Sequence, residues 1–257
     1  MTTGTNNIDP LFLLHTQPNL GRMASWIASH HARHSRQPVD MGDAIHGLLR
    51  AAFGEKAPQP FRYIEDRNGL LAYTAMDERA IADSIATADP VITEALGLDA
   101  YKLRAIPNHW AAGQVFGFEV RVKPTVRSKQ GEQDAFLAAV RMAGGKEGAP
   151  VDRGEVYARW LHDRINPSCP RAPRLPWHGS AEILDVQVSR FCHSKAVRRT
   201  QSQGDIGRER RVIPGPDAVL TGTLRVVDSV AFSRLLARGI GRHRSFGFGM
   251  LLLKRLG

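Results

Sequence analysis

The sequence predicts an α+β protein of two similar strand–helix units in tandem, with a helical stretch between them. Three observations carry this. Strand-like and helix-like apolar periods alternate along the first 126 residues, two helical stretches and a proline-rich segment interrupt them, and strands, a helix and a last strand then return. These breaks put an N-terminal unit at 1–127, a helical insertion with linker at 128–180, and a C-terminal unit at 181–257.

Residues 10–16 (PLFLLHT) are expected as a buried strand, and 20–37 as a polar, basic segment of mixed helical character. After Pro38, the residues Met41, Ile45, Leu48, Leu49, Ala52 and Phe53 recur at spacings of three and four. That spacing makes an amphipathic helix, with Asp40 as its N-cap and Gly54 as its stop. Asn68-Gly69, between FRYIEDR and LLAYTAM, is a strong hairpin signal. Residues 77–88 read as helix, and 115–126 (VFGFEVRVKPTV) alternate as a strand. The order β-α-β-β-α-β is that of a ferredoxin-like unit.

Two helical stretches follow at 131–145 and 153–165, then a proline-rich linker at 165–180. Strands return at 183–192 and 218–228. A helix then starts at Asp228, a capping residue, and stops at Gly239. The loop GIGRHRSFGFG, 239–249, leads into the apolar strand MLLLKRL. The second half is thus expected to form another ferredoxin-like unit.

An apolar fraction of 42% and a charged fraction of 23% are ordinary for a globular domain. The longest apolar runs fall far short of a membrane span, and MTTGTNNIDPLFLLHT lacks the basic start of a signal peptide. A cytoplasmic protein without membrane contact is expected. Cys169 and Cys192 have no CxxC spacing, which argues against a zinc ribbon or a disulfide scaffold. The formal net charge is +10, and it is unevenly placed. From Arg190 onward there are fourteen Lys and Arg against four Asp and Glu, while the first 189 residues hold twenty-one of each sign. A field concentrated this way points to a polyanion.

The glycine loop is not a dinucleotide fingerprint: Arg244 stands where a third glycine is needed, and a strand rather than a helix follows. A tight turn would explain glycines but not arginines. An RNA-backbone cradle explains both, with Gly239, Gly241, Gly247 and Gly249 allowing approach and Arg242 and Arg244 meeting phosphates. The stretch 194–211 is a second candidate RNA surface through Lys195, Arg198, Arg199, Arg208, Arg210 and Arg211. His30, His31 and His34 have a spacing a metal could use, but no HExxH glutamate accompanies them and Arg33 intervenes. A solvated or RNA-facing segment fits them better, and neither a metal nor another cofactor is expected.

The run 219–253, with its GIG-x5-G-x-G loop before an apolar strand, resembles the C-terminal signature of the CRISPR repeat-processing endoribonucleases, the CasE-like branch of the RAMP superfamily. FEVRVKPTVR at 118–127 resembles that family's strand ending in Arg-x-x-Pro-Thr, and DAIHGLLRAAF at 43–53 its early histidine-bearing helix. The resemblance implies two ferredoxin-like domains side by side, and as substrate the repeat hairpin of a precursor CRISPR RNA. It implies metal-independent cleavage by the neighbouring 2′-hydroxyl, leaving a 2′,3′-cyclic phosphate and a 5′-hydroxyl. It also implies a product-bound protein that joins other subunits in an effector complex.

That reaction takes a proton from the 2′-hydroxyl and gives one to the leaving 5′-oxygen. A histidine suits either task, because its ordinary pKa near 6.5 lies close to working pH. His46 matches the family's catalytic histidine. Asp43 stands where the family often carries tyrosine, and a carboxylate can orient His46 but cannot imitate a phenol. Arginine can compensate by gripping the phosphorane oxygens in pairs, and Arg36 and Arg242 are the candidates. The stretch 131–165 exceeds what the family leads one to expect. It would be a finger on the RNA stem, as in a diverged type IV member, or a docking surface for another subunit. A catalytically silent stem-binding subunit is the rival reading, and a backbone subunit along single-stranded guide RNA is a second.

Overall fold

The structure is a computed structural model that describes residues 9–31, 40–128, 131–167, 174–199 and 210–256. The first unit runs β1 (Phe12–Thr16), α1 (Leu20–His31), α2 (Met41–Phe53), β2 (Phe61–Ile64), β3 (Gly69–Thr74), α3 (Glu78–Thr87), α4 (Pro90–Leu96) and β4 (Lys102–Ala105). Its antiparallel sheet has the order β2-β3-β1-β4, the strand order of a ferredoxin-like unit. Asp40 caps α2, its carboxylate accepting from the Gly42 N–H at 2.9 Å, and Gly54 ends it. Ile45, Leu48, Leu49, Ala52 and Phe53 bury as their spacing predicts, while Met41 stays 38% exposed. They pack on Leu14, Phe61, Leu70 and Ala72 of the sheet.

The second unit runs β5 (Val115–Val122), β6 (Thr125–Ser128), β7 (Gly131–Asp134), α5 (Ala135–Met142), α6 (Arg153–Ile165), β8 (Ala181–Arg199), β9 (Arg210–Val226), α7 (Ser229–Arg238) and β10 (Leu251–Arg255). Its sheet order, β10-β5-β9-β8, repeats the first pattern, and β6 and β7 form a separate hairpin. Phe116, Phe118, Val120 and Val122 put one face of β5 into a core with Tyr157, Leu161, Phe232 and Leu236. Tyr73 crosses from the first unit into this core and donates its hydroxyl to the Leu251 carbonyl at 2.9 Å.

One strand changes unit relative to the sequence reading. Strand 115–126 was expected to close the first sheet, with a boundary at 127. Instead, Lys102–Ala105 closes it, and Val115–Val122 opens the second sheet between β9 and β10. The reason is physical: β4 is charged and largely exposed at an edge, so it carries no apolar alternation to read. The stretch 128–180 therefore lies inside the second unit, where α6 crosses from β5 to β8 and α5 with the β6–β7 hairpin is added. Residues 131–134 are strand rather than helix, because Asp134 caps α5 by accepting from the Phe136 N–H. The Asn68-Gly69 turn is also longer than expected. A short helical turn, Glu65–Arg67, precedes left-handed Asn68, and Gly69 is already in β3.

Candidate nucleic-acid interface

The glycine loop joins the two units. Gly239, Gly241, Gly247 and Gly249 all have φ between +74° and +82°. At Gly249 a Cβ would lie 2.3 Å from the Ile240 carbonyl oxygen, so no other residue fits without moving backbone. Between them, His243 takes a left-handed conformation at φ +60°, and Arg244–Phe246 forms a single helical turn. That turn rests on the first turn of α2, where a Cβ on Gly42 would stand 2.3 Å from the Phe246 carbonyl oxygen. Ser245 of the same turn donates to the Gln59 side chain at 3.1 Å.

This contact brings His46 to the loop. Its imidazole lies 5.5 Å from the Phe246 ring at an interplanar angle of 57°. His243 flanks the same ring at 6.4 Å, and its Nε2 lies 2.7 Å from Glu132 Oε2 on β7. Arg242 donates to Glu132 Oε1 at 2.8 Å, so it is half-exposed but not free of a carboxylate. Burial pushes the Glu132 carboxyl up, but the bonds from His243 and Arg242 more than offset this and hold it below its ordinary value. Arg244 donates to the Arg238 carbonyl at 2.6 Å, and burial followed by the nearby charge of Arg238 lowers its pKa.

A charged floor lies beside α2. Arg121 of β5 pairs with Asp217 of β9, which is 2% exposed, and its guanidinium lies 4.6 Å from the Phe248 ring. Lys123, also 2% exposed, donates to Ser194 Oγ at 3.1 Å. Burial raises the Asp40 carboxyl despite its bond from the Gly42 N–H and the opposing charges of Arg121 and Lys123. Burial would raise Asp217 too, but Arg121 prevails and lowers it. Sequence reading passed over His243, Glu132, Asp217 and Lys123. Arg121 and Lys123 stand in the Arg-x-x-Pro-Thr segment, which was the available signal.

Beyond Asp217, β8 and β9 leave the sheet as a two-stranded ribbon in which Lys195 pairs Pro214, Arg198 pairs Arg211 and Arg199 pairs Arg210. The side chains of these basic residues, and Arg208 entirely, lie outside the described residues, as do Arg36 and His34 and the side chains of His30 and His31. Among the described residues no group of three or more His, Cys, Asp or Glu could hold a metal ion, and no helix is long and apolar enough to cross a membrane.

The sequence profile of the family described as CRISPR associated protein matches residues 23–255. The chain belongs to that family. No curated protein sequence matches this CRISPR-associated protein. Among solved structures, the CRISPR endoribonuclease Cse3 bound to a 19-nucleotide RNA has a TM-score of 0.58 at 15% identity, covering 96% of this chain and all of that one. Thermus thermophilus Cse3, bound to an RNA representing a pre-cleavage complex, has the same TM-score at 16% identity, with 96% and 100% covered. A chain of a CRISPR RNA-guided surveillance complex, pre-nicking, follows at 0.50 and 18%, with 95% and 100% covered. The shared fold is the tandem ferredoxin-like pair, and at these identities the likeness is one of fold alone.

Proposed function

We propose that this CRISPR-associated protein is an endoribonuclease that matures precursor CRISPR RNA. It cuts within the repeat hairpin without a metal and stays on the product in an effector complex. The observation that carries the reading is the seating of His46 against Phe246 of the glycine loop, on the helix whose capping residue, Asp40, lies within the fields of Arg121 and Lys123. The two RNA-bound Cse3 structures, the first described as a CRISPR endoribonuclease, share the fold over nearly the whole chain and support the same reading.

In the reaction the 2′-hydroxyl loses its proton as its oxygen bonds to the adjacent phosphorus. The bond from phosphorus to the 5′-oxygen breaks, and that oxygen gains a proton. The products are a 2′,3′-cyclic phosphate and a 5′-hydroxyl. His46 serves one of the two proton transfers, which by position alone contribute about 10²–10⁴-fold. Arg242 and Arg36 supply positive charge to the phosphorane oxygens. Lys195, Arg198, Arg199, Arg208, Arg210 and Arg211 hold the stem through phosphates, and Gly239, Gly241, Gly247 and Gly249 shape the loop that carries Arg242 and Arg244 to the backbone. A second reading, a silent stem-binding subunit, draws on Asp43, a carboxylate 6% exposed in the turn preceding His46 where the resembling family often has tyrosine.

The test is incubation of the protein with an end-labelled repeat hairpin in excess EDTA, beside His46→Ala and an RNA with a 2′-deoxy sugar at the cut. One cut that persists in EDTA and is lost with the deoxy sugar is expected. His46→Ala should bind but cleave at least a hundredfold more slowly. Tight binding by the wild type with no cut would overturn the enzyme reading in favour of the silent subunit.

A further inference from the structure

A cavity of about 490 Å³ opens at the other end of the glycine loop, where α6, the segment around Trp177 and the end of α7 meet. That size lies in the range of small-ligand sites, roughly 300–1,000 Å³. Its walls include Trp160, Arg164, Trp177, Arg238, Gly241 and Arg242. Arg164 and Arg238 thus line it with one carboxylate, Asp163, while the third lining arginine, Arg242, is already bonded to Glu132.

The arrangement pairs each outer arginine with an indole. Arg164 lies 5.0 Å from the Trp160 ring, and Arg238 lies 4.6 Å from Trp177. Trp160 is fixed: its Nε1–H donates to the Thr125 carbonyl at 2.9 Å, and the ring closes against Gly241, where a Cβ would stand 2.9 Å from Cη2. Arg164 donates to the same Thr125 carbonyl at 3.3 Å, which aims it along the wall. Burial, followed by repulsion from Arg242, lowers the Arg164 pKa, so the cations are crowded before anything binds. Crowded guanidinium groups lose repulsion when an anion enters, and a planar ring stacks on exposed indole or guanidinium faces.

We propose that this cavity holds one unpaired nucleotide of the RNA, its base packed on the Trp177–Arg238 pair and its phosphate beside Arg164. The inference rests on the RNA-binding reading above and adds a subsite to it. Gly239–Arg242 of the cavity wall and the turn Arg244–Phe246 that meets His46 follow one another in one eleven-residue loop, 239–249. In this proposal a strand leaving the stem at the cut follows that loop to the cavity.

The experiment compares the repeat hairpin with and without single-stranded flanks, using wild type, Trp177→Ala, Trp177→Phe and Arg164→Gln. Wild type should bind a flanked hairpin more tightly than a bare stem. Trp177→Ala should lose about five- to a hundredfold on the flanked RNA, the range for a lost base–aromatic stack, and nothing on the bare stem. Trp177→Phe should recover most of that loss, and Arg164→Gln should lower the salt dependence for flanked RNA only. A 5-iodouridine flank should photo-crosslink to Trp177 in the unaltered protein, independently of any variant's folding. Equal losses on both RNAs, or a crosslink mapping elsewhere, would overturn the subsite while leaving hairpin binding intact. Failure of the wild type to bind either RNA would overturn the parent reading. If Trp177→Ala keeps both affinities but fails to assemble with other subunits, the cavity is a protein-docking site and the proposal is wrong.

Discussion

His46 on α2 of the first unit and Phe246 on the glycine loop of the second lie ring against ring at 5.5 Å, so the proposed centre exists only when the two units are docked. Phe246→Ala should therefore act through position: single-turnover cleavage falls about tenfold or more with RNA affinity near wild type. Equal kcat in the two proteins would show that the ring does not place His46.

Gly42 reports on the same docking from the backbone side. A Cβ there meets the Phe246 carbonyl oxygen at 2.3 Å, which requires the loop or the helix to shift. Gly42→Ala should cost about 1–3 kcal/mol, the usual penalty of overpacking, despite alanine's better helix propensity. Urea unfolding measures it, and a gain in stability would mean the contact is loose.

The local parts of this arrangement were legible in the sequence. Asp40, Gly54 and the three-and-four spacing from Ile45 to Phe53 each act within a turn or two of their own backbone, so α2 appears as read. The glycine spacing of 239–249 reports local φ demands in the same way. Pairs far apart in sequence left no such trace. Arg121 and Asp217 are 96 residues apart and are joined by the pairing of β5 with β9, while Arg242 and Glu132, 110 apart, are joined where the glycine loop meets the separate β6–β7 hairpin. The same limit moved strand 115–122 between units: its alternation announces a buried strand, whereas its neighbours are set by global packing.

Asp217 is 2% exposed and its charge is compensated chiefly by Arg121. Removing one partner of a buried pair leaves an isolated charge, at a cost of about 3–5 kcal/mol. Arg121→Met should lose stability on that scale, and Arg121→Met with Asp217→Leu should recover much of it. A double variant no better than the single would place the cost in the lost Phe248 contact at 4.6 Å instead.

Glu132 gives the anchorage of the glycine loop, through His243 and Arg242, a pH dependence. Its folded pKa lies below its ordinary 4.5, with burial opposing and the bonds from His243 and Arg242 prevailing. Between those two values the unfolded chain binds more protons, so stability rises with pH. The contribution is complete above about pH 4.5 and is lost as pH falls through the lower folded value. Glu132→Gln, which cannot titrate, should be less stable than wild type at pH 7, and the gap should close as the pH drops below 4.5. A gap constant down to pH 3 would mean the pairing contributes no charge-dependent stability.

The ribbon of β8 and β9 gives RNA binding an electrostatic signature. Arg198 and Arg211 are opposite one another in register, and so are Arg199 and Arg210, and two strands carrying four arginines suit a polyanion. Each phosphate neutralised releases counterions, so log K against log salt falls with a slope of about 0.7–0.9 per contact. Replacing Arg199 and Arg210 by Gln should weaken repeat-hairpin binding, reduce that slope by about one to two, and leave the single-turnover cleavage rate at saturating protein unchanged. The two changes must appear together. Weaker binding with an unaltered slope would mean that the substitutions disturbed the ribbon's pairing rather than its contacts with phosphate, and the stem would then have to be held elsewhere.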